Sequence, residues 1–237
     1  MSLQFGQMLG NNSMKKQIHI THYSDVLCVW AYVSQVRINE LINNFGDNVD
    51  LEFLFFSVFG NAVEKIDKAW ENKGGRQAYS KRVQEIVSQF GHLSIHSDIW
   101  MKDAPLSSLP CHLYLCAAQL AEENGKLDGG TFTELIWQMR KSFFSEAKDI
   151  SNIAIIREII EEQNLPLTEL ESSISNGKAY AVLSRHMQNA LDSYVRASPT
   201  LTFNEDRQRL TGNVGYRIME ANVRELLERP EEQQTWC

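Results

Sequence analysis

Few residues in this chain can do nucleophilic chemistry, and one of them is singled out by its surroundings. Cys28 lies in the run SDVLCVWAY, just after a β-branched, aromatic segment and just before an apolar-periodic one. A cysteine at such a strand-to-helix junction faces the free amides of the helix N-terminus. Their partial positive charge favours thiolate over thiol and can draw a thiol pKa of about 8.5 well down. Cys28 is therefore the expected nucleophile. The bland alternative is a small apolar residue packed under the sheet edge, because free cysteines are often buried.

The other three cysteines, Cys111, Cys116 and Cys237, form no dense framework, no CxxC and no zinc-type doublet. Cys111 and Cys116 lie five apart on an expected helix, point in different directions and read as core thiols. Cys237 ends the polar tail PEEQQTWC, and a terminus of this kind can reach a surface site, which makes it the candidate resolving thiol for Cys28. Its neighbour Trp236 suggests that the tail docks on something apolar. His92 and His96 have the i, i+4 spacing that could place two imidazoles on one helix face, but no Cys or carboxylate cluster completes a zinc set, so no metal is expected. His22 falls near the end of the first expected strand, either within reach of Cys28 or hydrogen-bonded within its own strand. In Ser198-Pro199-Thr200 a proline opens a strand, which is an ordinary place for one. Only about 5–6% of X–Pro bonds in folded proteins are cis, so the sequence alone favours trans. Gly74-Gly75 lacks the Lys-Ser/Thr of a phosphate loop, and no GxSxG is present.

These residues must be held by elements that the hydrophobic pattern makes visible. QIHITHY (17–23) alternates as a strand, Val29 to about Phe45 has a helical stripe stopped by Gly46, and NVDLEFLFFS alternates again, giving β-α-β. From about Gly60 to Val195 the period is helical. Tyr79, Val83, Ile86, Val87 and Phe90 make one stripe, and 109–123, 131–145, 151–163 and 178–195 are further helices, five or so in all. PTLTFN and RQRLTG then read as strands and 215–228 as a closing amphipathic helix. A parallel β-α-β unit that finishes its sheet with distant strands makes one discontinuous α/β domain, 14–60 with 196–230, interrupted by a helical insertion at 61–195. Residues 1–13 are polar and unpatterned and read as an extension, with a plausible natural start at Met14; 231–237 read as a tail.

Composition bounds the possibilities further. The chain has 237 residues, 43% of them hydrophobic, which is enough for a real core without disulfide staples. With 30 acidic against 23 basic residues and a net charge of −7, it lacks the positive surplus that nucleic acid or anionic membranes attract. No apolar run has signal-peptide or membrane-span length, so a cytoplasmic protein, monomer or homodimer, is expected.

Taken together, strand, SDVLCVWAY, helix, strand, helical insertion, SPTLTFN, strand and TGNVGYRIMEANVRELL resemble the DsbA-like branch of the thioredoxin superfamily, most of all its FrnE-type dithiol-disulfide isomerases. The resemblance spans about residues 17–237. It rests on Ser24, Asp25, Cys28, Trp30 and Tyr32 in the S-D-x-x-C-P-W-C-Y motif, on Ser198-Pro199-Thr200 in the cis-proline loop, and on SFFSEAKDIS (142–151) and the TWC ending. It implies a thioredoxin fold, Cys28 as nucleophile, Trp30 and Tyr32 shaping the surface around it, and a cis-proline loop that pairs with a thiol substrate. Two positions depart from the pattern: Val29 replaces the proline and Ala31 replaces the second cysteine.

Without a thiol at position 31, the mixed disulfide of a dithiol enzyme has no neighbour to resolve it. The expected function is therefore monothiol disulfide exchange at Cys28 with a thiol or disulfide substrate, no bound cofactor, and glutathione as a candidate cosubstrate. Two alternatives accompany it. One is a glutathione-dependent isomerase or transferase of the 2-hydroxychromene-2-carboxylate isomerase or kappa-class type. The other is a non-catalytic thioredoxin-fold binding protein in which Cys28 is inert.

Overall fold

A computed structural model describes residues 17–228. The expectations placed on 1–13, on the start at Met14, and on Trp236 and Cys237 in the 231–237 tail lie outside those residues. The first strand, β1 (Ile18–Ser24), leads into α1 (Val29–Phe45) and then β2 (Val49–Phe55), at the positions the alternation predicts. Gly46 closes α1 with φ +45°, a backbone setting that side chains disfavour, and its N–H returns to the Ile42 carbonyl. The remaining strands are β3 (Thr200–Phe203) and β4 (Gln208–Thr211), followed by α9 (Tyr216–Glu228).

The sheet order is β2-β1-β3-β4. β1 and β2 run parallel with Ile18 opposite Val49 and His22 opposite Phe53, while β1 with β3 and β3 with β4 are antiparallel. This is the mixed four-stranded α/β arrangement of a thioredoxin fold. Because strand side chains alternate, His22 faces α1 and α9, where it meets Ser34, Ile38 and Met219 around a small void. Tyr23 faces the other way and joins Leu54, Ala190 and Val195 in a separate apolar cluster.

Between β2 and β3 lie α2 (Ala62–Trp70), α3 (Gly75–Val87), α4 (Leu109–Glu123), α5 (Thr131–Phe144), α6 (Ile153–Glu162), α7 (Leu167–Ser175) and α8 (Lys178–Asp192). That is more than the five or so helices expected. α2 begins at an Asn61 cap whose side chain accepts from Glu64 N, and α7 follows Pro166 with Leu170 as its one buried side chain. α8 packs on β2 and delivers the chain to the loop before β3. One continuous core joins the inserted helices to the sheet, with Phe55 stacked on His112 and Phe132 edge-on to both Phe53 and Phe55. His92 and His96 do not share a helix face: they lie in the irregular segment after α3, where Leu93 and Ile95 pack inward and break the helical period.

Candidate active site

Cys28 is the residue that caps α1. It has extended φ/ψ (−81°, 117°), its carbonyl accepts from the Ala31 and Tyr32 amides, and its own N–H donates to Asp25 O at 3.0 Å. The side chain is 6% exposed, and its Sγ donates to the carbonyl of Ser198 at 3.1 Å. The Ser198-Pro199 peptide is cis, where sequence frequencies alone favour trans. The structure thus brings Cys28 against Ser198 of the proline loop. Ser198 Oγ also accepts from Asp25 N at 3.0 Å, and Thr200 Oγ1 donates to Ala197 O at 2.8 Å, so both ends of the loop are tied down.

Burial pushes the Cys28 thiol up. The hydrogen bond with Ser198 and the amides of Ala31 and Trp30 pull it down, while the Asp25 carboxylate adds to the rise; the net direction is upward. The expected thiolate is therefore not the resting form, because desolvation outweighs the helix N-terminus here. The folded site holds a neutral thiol pointed at a carbonyl.

Asp25 is fully buried beneath it. Its Oδ1 accepts from Leu27 N (2.9 Å), and its Oδ2 accepts from Phe59 N and from Ser108 Oγ (2.8 Å each). Ser108 caps α4, and one turn later His112 Nε2 accepts from Val26 N at 3.1 Å. That bond places the proton of a neutral imidazole on Nδ1, and burial lowers the His112 pKa accordingly. From α5 the fully buried Arg140 donates to Ser24 Oγ at 2.9 Å and to Gln35 Oε1. Burial draws the guanidinium down to about 10, against the pull of Cys28 and Asp25, so it stays charged at neutral pH.

One motif residue sits elsewhere than the resemblance implies. Tyr32 is 1% exposed and turned into the insertion, stacked on Phe144 (4.6 Å between centroids), with its OH donating to Ser94 O at 2.9 Å. It is a core tether and not part of the surface. Trp30 is half-buried, while Val29 and Ala31 are buried, Ala31 completely. His22 makes no hydrogen bond to Cys28: both ring nitrogens are buried without a partner, and the ring stands edge-on to Phe53 at 5.2 Å. Cys111 and Cys116 are wholly buried in α4, and burial raises both thiols.

Sequence reading missed Ser108, His112, Gln35 and Arg140. Arg140 did carry a signal, because it lies four residues after Ile136 and four before Phe144, on the apolar face of α5. A charge on such a face needs an internal partner.

Comparison with known proteins accords with this geometry. The thioredoxin family model matches residues 22–225. The ClpXP adapter protein SpxH of Bacillus subtilis is 26% identical over 219 residues, covering 90% of this chain and 69% of that protein. Among solved structures, 2-hydroxychromene-2-carboxylate isomerase superposes with a TM-score of 0.62 at 13% identity, over 92% of this chain and all of that one. The cytosolic disulfide reductase DsbM of Pseudomonas aeruginosa gives 0.61 at 15% identity, over 90% of this chain and 98% of that one. At such identities the structural likeness concerns the fold. The chain belongs to the thioredoxin family, with seven α-helices inserted between the second and third strands of its sheet.

Proposed function

We propose that this protein exchanges disulfides through the single thiol of Cys28. The observation that carries the reading is the placement of that sulfur, at the first turn of α1 and in contact with the carbonyl that precedes cis-Pro199. An extended substrate that pairs its N–H with Ser198 O takes the acceptor that Cys28 now uses. The freed thiol can then give its proton to water, and the thiolate left behind accepts from the amides of Trp30 and Ala31. The thiolate attacks one sulfur of a disulfide R–S–S–R′, forming Cys28–S–S–R as the substrate's S–S bond breaks, and R′–S⁻ leaves and takes up a proton. A second thiol must then attack the mixed disulfide and return Cys28, because Ala31 supplies none. Glutathione is the candidate, in keeping with the glutathione-bound form of DsbM; Cys237 is the internal one.

A second reading has its own support. Cys28 is nearly enclosed and its thiol is pushed up by burial, as an inert cysteine would be. The likeness to SpxH, an adapter protein, favours a fold that holds a client beside Pro199 without chemistry.

Intact-protein mass spectrometry after incubation with oxidised glutathione separates the two, using a Cys237→Ser background. The exchange reading expects one glutathione adduct, forming faster as pH rises and absent in Cys28→Ser. If native protein stays unmodified at pH 8.5 while unfolded protein reacts, exchange is refuted and the binding reading stands.

A further inference from the structure

The unused surface with the most chemistry is the outer edge of β2, on the side of the sheet away from β3 and β4. Phe56 N donates inward to Ser24 O and Phe55 N outward to His186 Nδ1, so along β2 the odd-numbered residues direct their backbone groups away from β1. Phe55 is capped by His186, and Val49 N is taken by Gly46 O. Leu51 and Phe53, between them, have no outward partner among the described residues. Leu51 is partly exposed and Phe53 only 3% exposed, so at Phe53 the edge is reached only through the crevice beside it. A strand edge with free N–H and C=O groups is a template for another strand.

This edge opens into a crevice of about 350 Å³ between β2 and the facing ends of α4 and α5. Its charged lining is acidic: Asp50 and Glu52 from the strand, Glu122 and Glu123 from the end of α4. Glu122 accepts from Phe132 N at 2.7 Å, whereas Asp50 and Glu52 share His19, at 3.1 and 3.7 Å. Arg185 of α8 lies within electrostatic reach of Glu52. Gln119, 7% exposed and also lining the crevice, leaves its Oε1 without a hydrogen-bond partner. Among the described residues no three carboxylates, histidines or cysteines are placed to hold a metal ion, so the acidic lining calls for cationic side chains instead. A second copy of this chain would set Asp50 and Glu52 against their own like charges, which disfavours self-pairing.

We infer that the β2 edge binds an extended, lysine- or arginine-bearing segment of a partner protein, which adds to the sheet beside Leu51 and Phe53 with its cations against Asp50 and Glu52. The mode is strand addition, with backbone pairing for affinity and alternate side chains for selectivity. It is separate from the Cys28 site and holds for either reading of that site.

Fluorescence anisotropy with a labelled octapeptide of alternating lysine and valine tests it. The control is an octapeptide of alternating lysine and proline, which has equal charge but cannot form the strand ladder. The lysine–valine peptide should bind at least tenfold tighter, Asp50→Lys/Glu52→Lys should weaken it at least tenfold, and Cys28→Ser should leave it unchanged. Leu51→Pro removes the outward N–H from an edge position that tolerates proline; it should abolish binding with the far-UV circular dichroism preserved. Equal binding of both peptides, or no saturable binding of the lysine–valine peptide, overturns the inference. If Leu51→Pro perturbs the fold, the peptide comparison and the charge reversal decide it.

Discussion

Three buried histidines should make this protein lose stability on mild acidification, well before its carboxylates titrate. Burial lowers His22 from 6.5 to about 3 and His186 to about 4, and lowers His112 in the same direction. Above pH 6.5 these groups are neutral in both the folded and unfolded chain and add no pH dependence. Between 6.5 and the folded values, only the unfolded chain takes up the protons, so stability falls as pH falls. At pH 5 the gap from 6.5 is about 1.5 units, which at about 1.4 kcal/mol per unit costs about 2 kcal/mol for each fully shifted histidine. His22 and His186 together therefore cost about 4 kcal/mol, of the order of a third to a half of a typical domain's stability. Urea denaturation at pH 7 and pH 5 reads this directly: with m of about 2–3 kcal/mol/M, the midpoint should drop by about 1–2 M. Replacing His22 with leucine should remove about half of the drop, because it deletes one of the two large contributions together with two unpartnered nitrogens. Equal midpoints at pH 7 and pH 5 would refute the reasoning, since they would mean that the imidazoles find protons or solvent in the folded state.

Two further outcomes follow from the Cys28 neighbourhood. Asp25→Asn sets an amide against at least one of the donors Leu27 N, Phe59 N and Ser108 Oγ, which should cost about 2–4 kcal/mol in urea denaturation. Because the carboxylate contributes to the raised thiol pKa, the same variant should be alkylated faster by iodoacetamide at pH 7, and an unchanged rate would count against that role. Ala31→Cys places a second thiol one helical turn from Cys28, within disulfide reach, and should reduce insulin faster than the native chain does. Since Ala31 has no exposed surface, the added sulfur should lower stability by about 1–2 kcal/mol.

Much of the fold was legible because the pattern is local. β1, α1 and β2 follow from alternation, a helical stripe and Gly46, and the β-β-α ending from two short strands and an amphipathic run. α2 escaped although Asn61 and Glu64 spell a reciprocal cap, and α7 escaped because a single buried leucine makes no stripe. At the site, the junction position of Cys28 and the proline loop could be read; the state of the thiol could not. That state depends on Asp25 and on desolvation, and so on packing. The polar groups that complete the site come from Ser108, His112 and Arg140, some 80 to 116 residues from their partners in the chain, and no local period announces such pairs.

The ties from α4 and α5 to the Ser24–Leu27 turn have a consequence for how such a protein can change over time. Val26 N finds its acceptor on His112, Asp25 one of its donors on Ser108, and Ser24 its donor on Arg140. The inserted block is therefore not an interchangeable lid. A substitution deep in α5 acts on the reactive turn as directly as one beside the sulfur, and grafting another helical block onto this sheet would leave three buried polar groups stranded under Cys28.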